Sequence, residues 1–156
     1  MERRRFLEAA GGALAASLAP RPLLAQAPPA FAQSADSQAL VKRATRGKEA
    51  RVGKVKLDLP LLADNGNSVP MKVAVESPMT AADHVKTIRL LSERNPEWEM
   101  AAFHLGPYSG RAEITSRVRL AGSQRVVALA EMSDGSYWMG TADVTVTLSA
   151  CVDGTG

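Results

Sequence analysis

QRVVALAEMSDGSYWMGTADVTVTLSACVDGTG, residues 124–156, decides the fold. Asp134-Gly135 is a hairpin signal between two strand-like runs, Gln124–Met132 and Tyr137–Leu148. In the second run Ala142, Val144, Val146 and Leu148 form one face, and Thr141, Asp143, Thr145, Thr147 and Ser149 the other. Two residues further on, Cys151, the only cysteine of the chain, falls on the polar face. A cysteine in a core role belongs with the valines, so this one is expected to be presented. Its neighbours Ser149, Ala150, Val152, Asp153 and Gly154 are mostly small, and residues 149–156 are expected to form a flexible tail.

Upstream the same period of two recurs. Val55, Leu57 and Leu59 alternate with Lys54, Lys56 and Asp58. Ala63-Asp64-Asn65-Gly66-Asn67 reads as a turn cluster, its Asn-Gly pair supplying positive-φ positions for a tight reversal. Val69, Met71, Val73 and Val75 follow, with Pro70 expected at an edge because it cannot donate to a ladder. Further strands are expected over 84–92, 99–105 and 113–120, separated by Asn95-Pro96, Gly106-Pro107 and Ala121-Gly122-Ser123. About seven strands with no alternating helices give an all-β, immunoglobulin-like antiparallel β-sandwich over residues 52–148, without the cross-sheet disulfide of antibody domains.

Residues 28–51 are expected to be a leader and a short helix capped by Ser34 or Asp36 and ended by Gly47. Its basic residues Lys42, Arg43, Arg46, Lys48 and Arg51 read as a solvated face. Residues 1–27 read as a twin-arginine-type signal peptide. Arg3-Arg4-Arg5-Phe6-Leu7 precedes a weakly apolar stretch and the small-residue cleavage site Ala25-Gln26-Ala27. Four arginines against two glutamates in that segment account for +2 of the net charge of +3. The remainder is near neutral and poor in aromatics, which sets nucleic-acid binding aside. Export to the periplasm is expected, with no membrane span after signal cleavage.

Export makes a lone cysteine informative. In an oxidising compartment thiols pair, and an unpaired one signals an intermolecular bond or a reactive sulfur. A cysteine–histidine hydrolase needs an orienting acid and an oxyanion hole on a rigid element, and the tail supplies neither. A blue-copper centre needs two histidines, a cysteine and usually a methionine. His84 and His104 are present, but no histidine or methionine follows Cys151, so both read as ordinary strand residues. No catalytic residue and no metal ligand is expected. Trp98 and the Tyr137-Trp138 pair read as core or as a docking face.

The signal, the short helix, Leu62-Ala63-Asp64-Asn65-Gly66 with Val69-Pro70, and a closing strand running into Cys151 together resemble the SoxY family, over about Val55–Cys151. The resemblance implies a non-catalytic sulfur carrier of a thiosulfate-oxidising system, its cofactor-free thiol holding sulfur intermediates as covalent adducts. It implies a SoxZ-like partner subunit, a c-type cytochrome that couples thiosulfate to the thiol, a hydrolase that releases sulfate, and enzymes that process the remaining sulfane. The family's chain ends Gly-Gly-Cys-Gly-Gly, whereas here Ser149 and Ala150 precede the thiol and Val152 and Asp153 follow it. Glycine gives an arm reach and a slim backbone, so this arm is expected to be stiffer. From a different class, an adaptor β-sandwich would use Cys151 for one permanent intermolecular disulfide.

Overall fold

The computed structural model describes residues 34–149. The expected signal peptide, Ala150, Cys151, Val152, Asp153 and Gly154 lie outside the described residues. The chain opens with helix α1 (Ala35–Ala44). Ser34 caps it, its hydroxyl accepting from the Ser37 amide at 3.0 Å, which settles the choice between Ser34 and Asp36. The helix closes at Thr45, and the Gly47 amide reaches back to the Lys42 carbonyl at 2.8 Å.

Nine strands follow among the described residues: β1 (Ala50–Val52), β2 (Val55–Asp58), β3 (Leu62–Asn65), β4 (Val69–Val75), β5 (Val85–Ser92), β6 (Glu99–His104), β7 (Glu113–Val118), β8 (Gln124–Met132) and β9 (Tyr137–Leu148). They form a sandwich. One sheet runs β1-β9-β8-β5-β6 and the other β2-β4-β7. The expected hairpin joins β8 to β9, with Gly135 at φ +80° and its amide donating to the Met132 carbonyl at 3.0 Å. That is a type I turn completed by one left-handed residue, a position that glycine fills without strain.

Between the sheets lies the main core. Ile88, Leu90, Val126, Ala128 and Val144 face Val69, Met71, Val73 and Val75. Strand β4 alternates strictly because its other face meets water. Strand β8 does not alternate, being buried almost throughout. The cause is α1, whose Val41 and Ala44 pack with Leu91, Val127, Leu129 and Met139 on the outer face of the large sheet. The helix is therefore a third layer. Fully covering a side chain the size of Val41 or Leu129 contributes about 1.5–3 kcal/mol.

Two findings differ from the sequence reading of the turn cluster at 63–67. Leu62–Asn65 is a strand, and Gly66 does not take a positive φ, so Asn65-Gly66 makes no tight hairpin. Instead β3 pairs in parallel with the end of β9, Ala63 opposite Val146 and Asn65 opposite Leu148. Strand β1 pairs in parallel with the start of β9, Arg51 opposite Trp138. One long strand thus has its outer edge covered by two short segments in turn, while β2, between them in sequence, crosses to the other sheet. The crossing passes over Gly140, where a Cβ would meet the Val55 carbonyl oxygen at 2.3 Å. Pro70 lies in the central strand of the small sheet rather than an edge strand. Its end of β4 is nevertheless open on one side, because β2 stops opposite Lys72, two residues short of it.

Candidate carrier site

The site is built from the end of β9, whose last residue, Leu148, stands three positions before Cys151. Val144 and Val146 point into the core while Asp143, Thr145 and Thr147 are exposed, so the alternation read from the sequence holds over this half of the strand. Nearer its start the opposite parity is covered, and Met139 is buried under α1.

Both edges of the strand end are fastened. On one side the Thr145 amide donates to the Leu61 carbonyl at 2.9 Å, the Thr147 hydroxyl to the Asp64 carbonyl at 2.7 Å, and the Gly66 amide to the Leu148 carbonyl at 2.7 Å. The Gly66 carbonyl in turn accepts from the Leu120 amide at 2.8 Å. On the other side the Val146 amide donates to the Ser123 hydroxyl at 2.9 Å. A little earlier Arg125 and Asp143 form a two-pronged pair, Nε to Oδ1 at 2.7 Å and Nη2 to Oδ2 at 2.9 Å. Hydrogen bonding from Arg125 holds the Asp143 carboxyl below the usual carboxylate range, and the same bond raises Arg125.

The turns around this strand end are fixed by a polar network. The Ser92 hydroxyl donates to Gln124 Oε1, the Gln124 amide group donates to Asn95 Oδ1 at 3.0 Å, and that oxygen also accepts from the Ala121 amide at 2.9 Å. Asn95 Nδ2 donates to the Arg119 carbonyl at 2.8 Å. Ser92 and Gln124 are buried and both are satisfied, so breaking this part of the network would strand polar groups away from water. A shallow cleft beside it is lined by Arg94, Pro96, Gly122, Ser123 and Ser149. Arg94 Nη1 donates to the Ser123 carbonyl at 3.1 Å. Leu61, Leu62 and Leu148 remain exposed around the strand end.

Of the expected tail residues the described part contains Ser149 alone, exposed at the cleft. The two histidines stand apart from it. His84 Nδ1 lies 3.1 Å from the Thr80 carbonyl, and His104 Nδ1 lies 3.4 Å from the Thr87 hydroxyl. Among the described residues no three His, Asp, Glu or Cys side chains converge on a metal-sized site. Ser123, Asn95 and Gln124 were not singled out by their sequence pattern. Their one local signal is that Asn95 and Ser123 sit in turn-forming clusters, where side chains bond to backbone.

A family model described as sulfur oxidation protein SoxY matches residues 38–151. The chain belongs to the SoxY family. The match takes in the helix from Gln38 onward, the sandwich and the last strand, and ends on Cys151. Among solved structures, the sulfur carrier protein SoxY from Chlorobium limicola f thiosulfatophilum is 21% identical, with 71% of this chain and 96% of that one covered at a TM-score of 0.56. The superoxide reductase (neelaredoxin) from Ignicoccus hospitalis is 18% identical, with 60% and 80% covered at 0.54. A putative superoxide reductase from Thermotoga maritima is 20% identical, with 63% and 87% covered at 0.51. At these identities the structures speak for a shared SoxY-like sandwich and not for a shared chemistry. No curated protein sequence matches.

Proposed function

We propose that the protein is an exported, non-catalytic sulfur carrier of the periplasm, which holds sulfur intermediates covalently on Cys151 and presents them to partner enzymes. The observation that carries this reading is the family match running up to Cys151 and no further, on a strand end fastened along both edges. A fastened base three residues from a thiol delivers a cargo to a defined place, whereas a loosely paired strand would not.

The thiolate would be joined to the outer sulfur of thiosulfate, a step that removes two electrons, accepted by a c-type cytochrome. A hydrolase would then add water across the sulfur–sulfone bond and release sulfate, leaving a persulfide for further enzymes. A SoxZ-like subunit would complete the carrier. The twin-arginine-type leader supports a periplasmic setting, and Ala150, Val152 and Asp153 around the thiol would give this arm less freedom than glycines would.

Intact mass spectrometry after incubation with thiosulfate and an oxidising cytochrome tests the proposal. The expected result is a mass gain on Cys151 that a small thiol reverses. A covalent dimer with no adduct would replace the carrier by an adaptor joined through one disulfide.

A further inference from the structure

The cations of this molecule are unevenly paired. The five ion pairs among the described residues use Lys56, Lys72, Lys86, Arg89 and Arg125. Lys42, Arg43, Arg46, Lys48 and Arg51 are all exposed, take part in none of them, and lie together on the end of α1 and the start of β1. Glu49 is the one acid among them in sequence. Lys42, Lys48 and Arg51, with Glu49 among them, line a single cleft between α1 and β1, over a floor that includes Val41 and Met139. Favourable interaction with the helix dipole accounts for Lys42 and Arg43 in the last turn, but not for three cations beyond it.

Three of the five are also held over aromatic rings. The Arg43 guanidinium is 4.5 Å from the Trp98 ring centre, Lys48 Nζ is 5.8 Å from Tyr137, and the Arg51 guanidinium is 5.7 Å from Trp138. The rings orient the charges outward without neutralising them. Lys54 also lies over Trp138, at 4.8 Å, but its charge is already felt by Asp134, so it is not counted with the others.

We propose that this face, Lys42, Arg43, Arg46, Lys48 and Arg51, docks an acidic surface segment of a partner protein in sulfur oxidation. The choice of partner rests on the carrier reading above. An arm of a few residues entering an active site offers little area for recognition, so the body of the carrier must supply the affinity, and unpaired fixed charge supplies it with speed. A protein partner fits better than an anionic bilayer. A membrane-surface helix turns an apolar face to the lipid, whereas Val41 and Ala44 are committed to the sheet. Nucleic acid fits poorly as well, because the rings that would stack on bases already carry cations.

Trp98 and Trp138 are the only tryptophans of the chain, so all tryptophan emission comes from rings that Arg43 and Arg51 cover. The probe is poly-L-glutamate, titrated at low salt into the full exported chain. A saturable change in tryptophan emission is expected, about tenfold weaker in Lys48→Glu/Arg51→Glu and retained in Arg117→Glu/Arg119→Glu, whose residues lie on or beside β7 of the other sheet. Lys42→Ala/Lys48→Ala, both exposed, is expected to weaken it too and guards against misfolding of the reversed pair. Equal losses in the two reversed pairs, no saturable change, or tighter binding to phosphatidylglycerol vesicles than to poly-L-glutamate would overturn the proposal. Mass gain on Cys151 is measured in the same variants. If the wild type takes no adduct, the carrier reading fails while the emission result still judges the face.

Discussion

Replacing Gly140 by alanine tests whether the crossing of β2 over β9 sets the architecture. The added methyl carbon would stand 2.3 Å from the Val55 carbonyl oxygen, 3.1 Å from its carbon and 3.4 Å from Val55 Cγ1. The first of these is about 1 Å short of an ordinary contact. Two of the three obstacles are backbone, so no side chain can rotate away, and β2 must lift from β9 or the crossing must shift. Overpacking of this kind costs about 1–3 kcal/mol, and the better strand propensity of alanine returns about 0.5–1 kcal/mol. The expected net loss is about 1–2 kcal/mol, or roughly 4–8 °C in melting temperature for a domain of this size. Thermal and denaturant unfolding followed by far-ultraviolet circular dichroism reads it. Gly106→Ala is the control, because nothing lies within 4 Å of a Cβ there and its φ of −141° suits any residue. That variant is expected to unfold at or slightly above the wild-type temperature. A Gly140→Ala protein melting no lower than the wild type would refute the claim that contact with Val55 fixes the crossing.

Three further outcomes follow from the strand end. Ser123→Ala removes the acceptor of the Val146 amide, and the expected results are a loss of about 1 kcal/mol and faster amide exchange at Val146; unchanged protection there would refute the fastening. The lowered pKa of Asp143 means its pairing with Arg125 adds stability above the ordinary carboxylate value of 3.8, lost as pH falls through the lower native value. Because the Asp143 side chain is 65% exposed, the effect is well under about 1 kcal/mol, and Asp143→Asn should remove that part of the acid dependence and little else. Cys151 in the folded protein is expected to react with a neutral disulfide reagent as fast as a free small thiol, and Cys151→Ser to abolish any adduct; protection of the kind a core residue enjoys would contradict the carrier reading.

Most of the fold was legible because it is local. β9 carries the period, β8 the apolar composition and length, and Asp134-Gly135 the breaker, and the observed bounds of both strands agree with the sequence pattern. β1 and β3 were not legible. They are three and four residues long and pair in parallel with a strand some eighty residues away, so neither makes a hairpin. Leu61, Leu62 and Ala63 followed by Asp64 and Asn65 show no alternation that would mark a strand. The third layer left a trace that was open to another reading: Val126–Ala130 is apolar without interruption, the pattern of a strand covered on both faces, here by α1. The candidate site divides in the same way. The parity of β9 was visible in residues two apart, but the network of Ser92, Asn95 and Gln124 joins the ends of β5 and β8, neighbours in one sheet but some thirty residues apart in sequence, and no spacing in the chain encodes it.

The two short strands explain why β9 ends as firmly as it does. A strand of twelve residues paired on one side only would fray at its last turns, where the core thins and Leu148 is already exposed. Strand β1 secures its start and cannot reach its end. Because the chain leaves the edge at Gly140 and returns as β3, the same edge is used twice, and the returning segment supplies Leu61, Asp64 and Gly66 as backbone partners for Thr145, Thr147 and Leu148. Ser123 closes the other side. The Ala63–Asn67 cluster that reads as a turn in the sequence thus contributes, through Asp64 and Gly66, to fastening the strand end from which the cysteine-bearing segment departs. On the carrier reading proposed above, a strand end fastened along both edges gives Cys151 a fixed base three residues away.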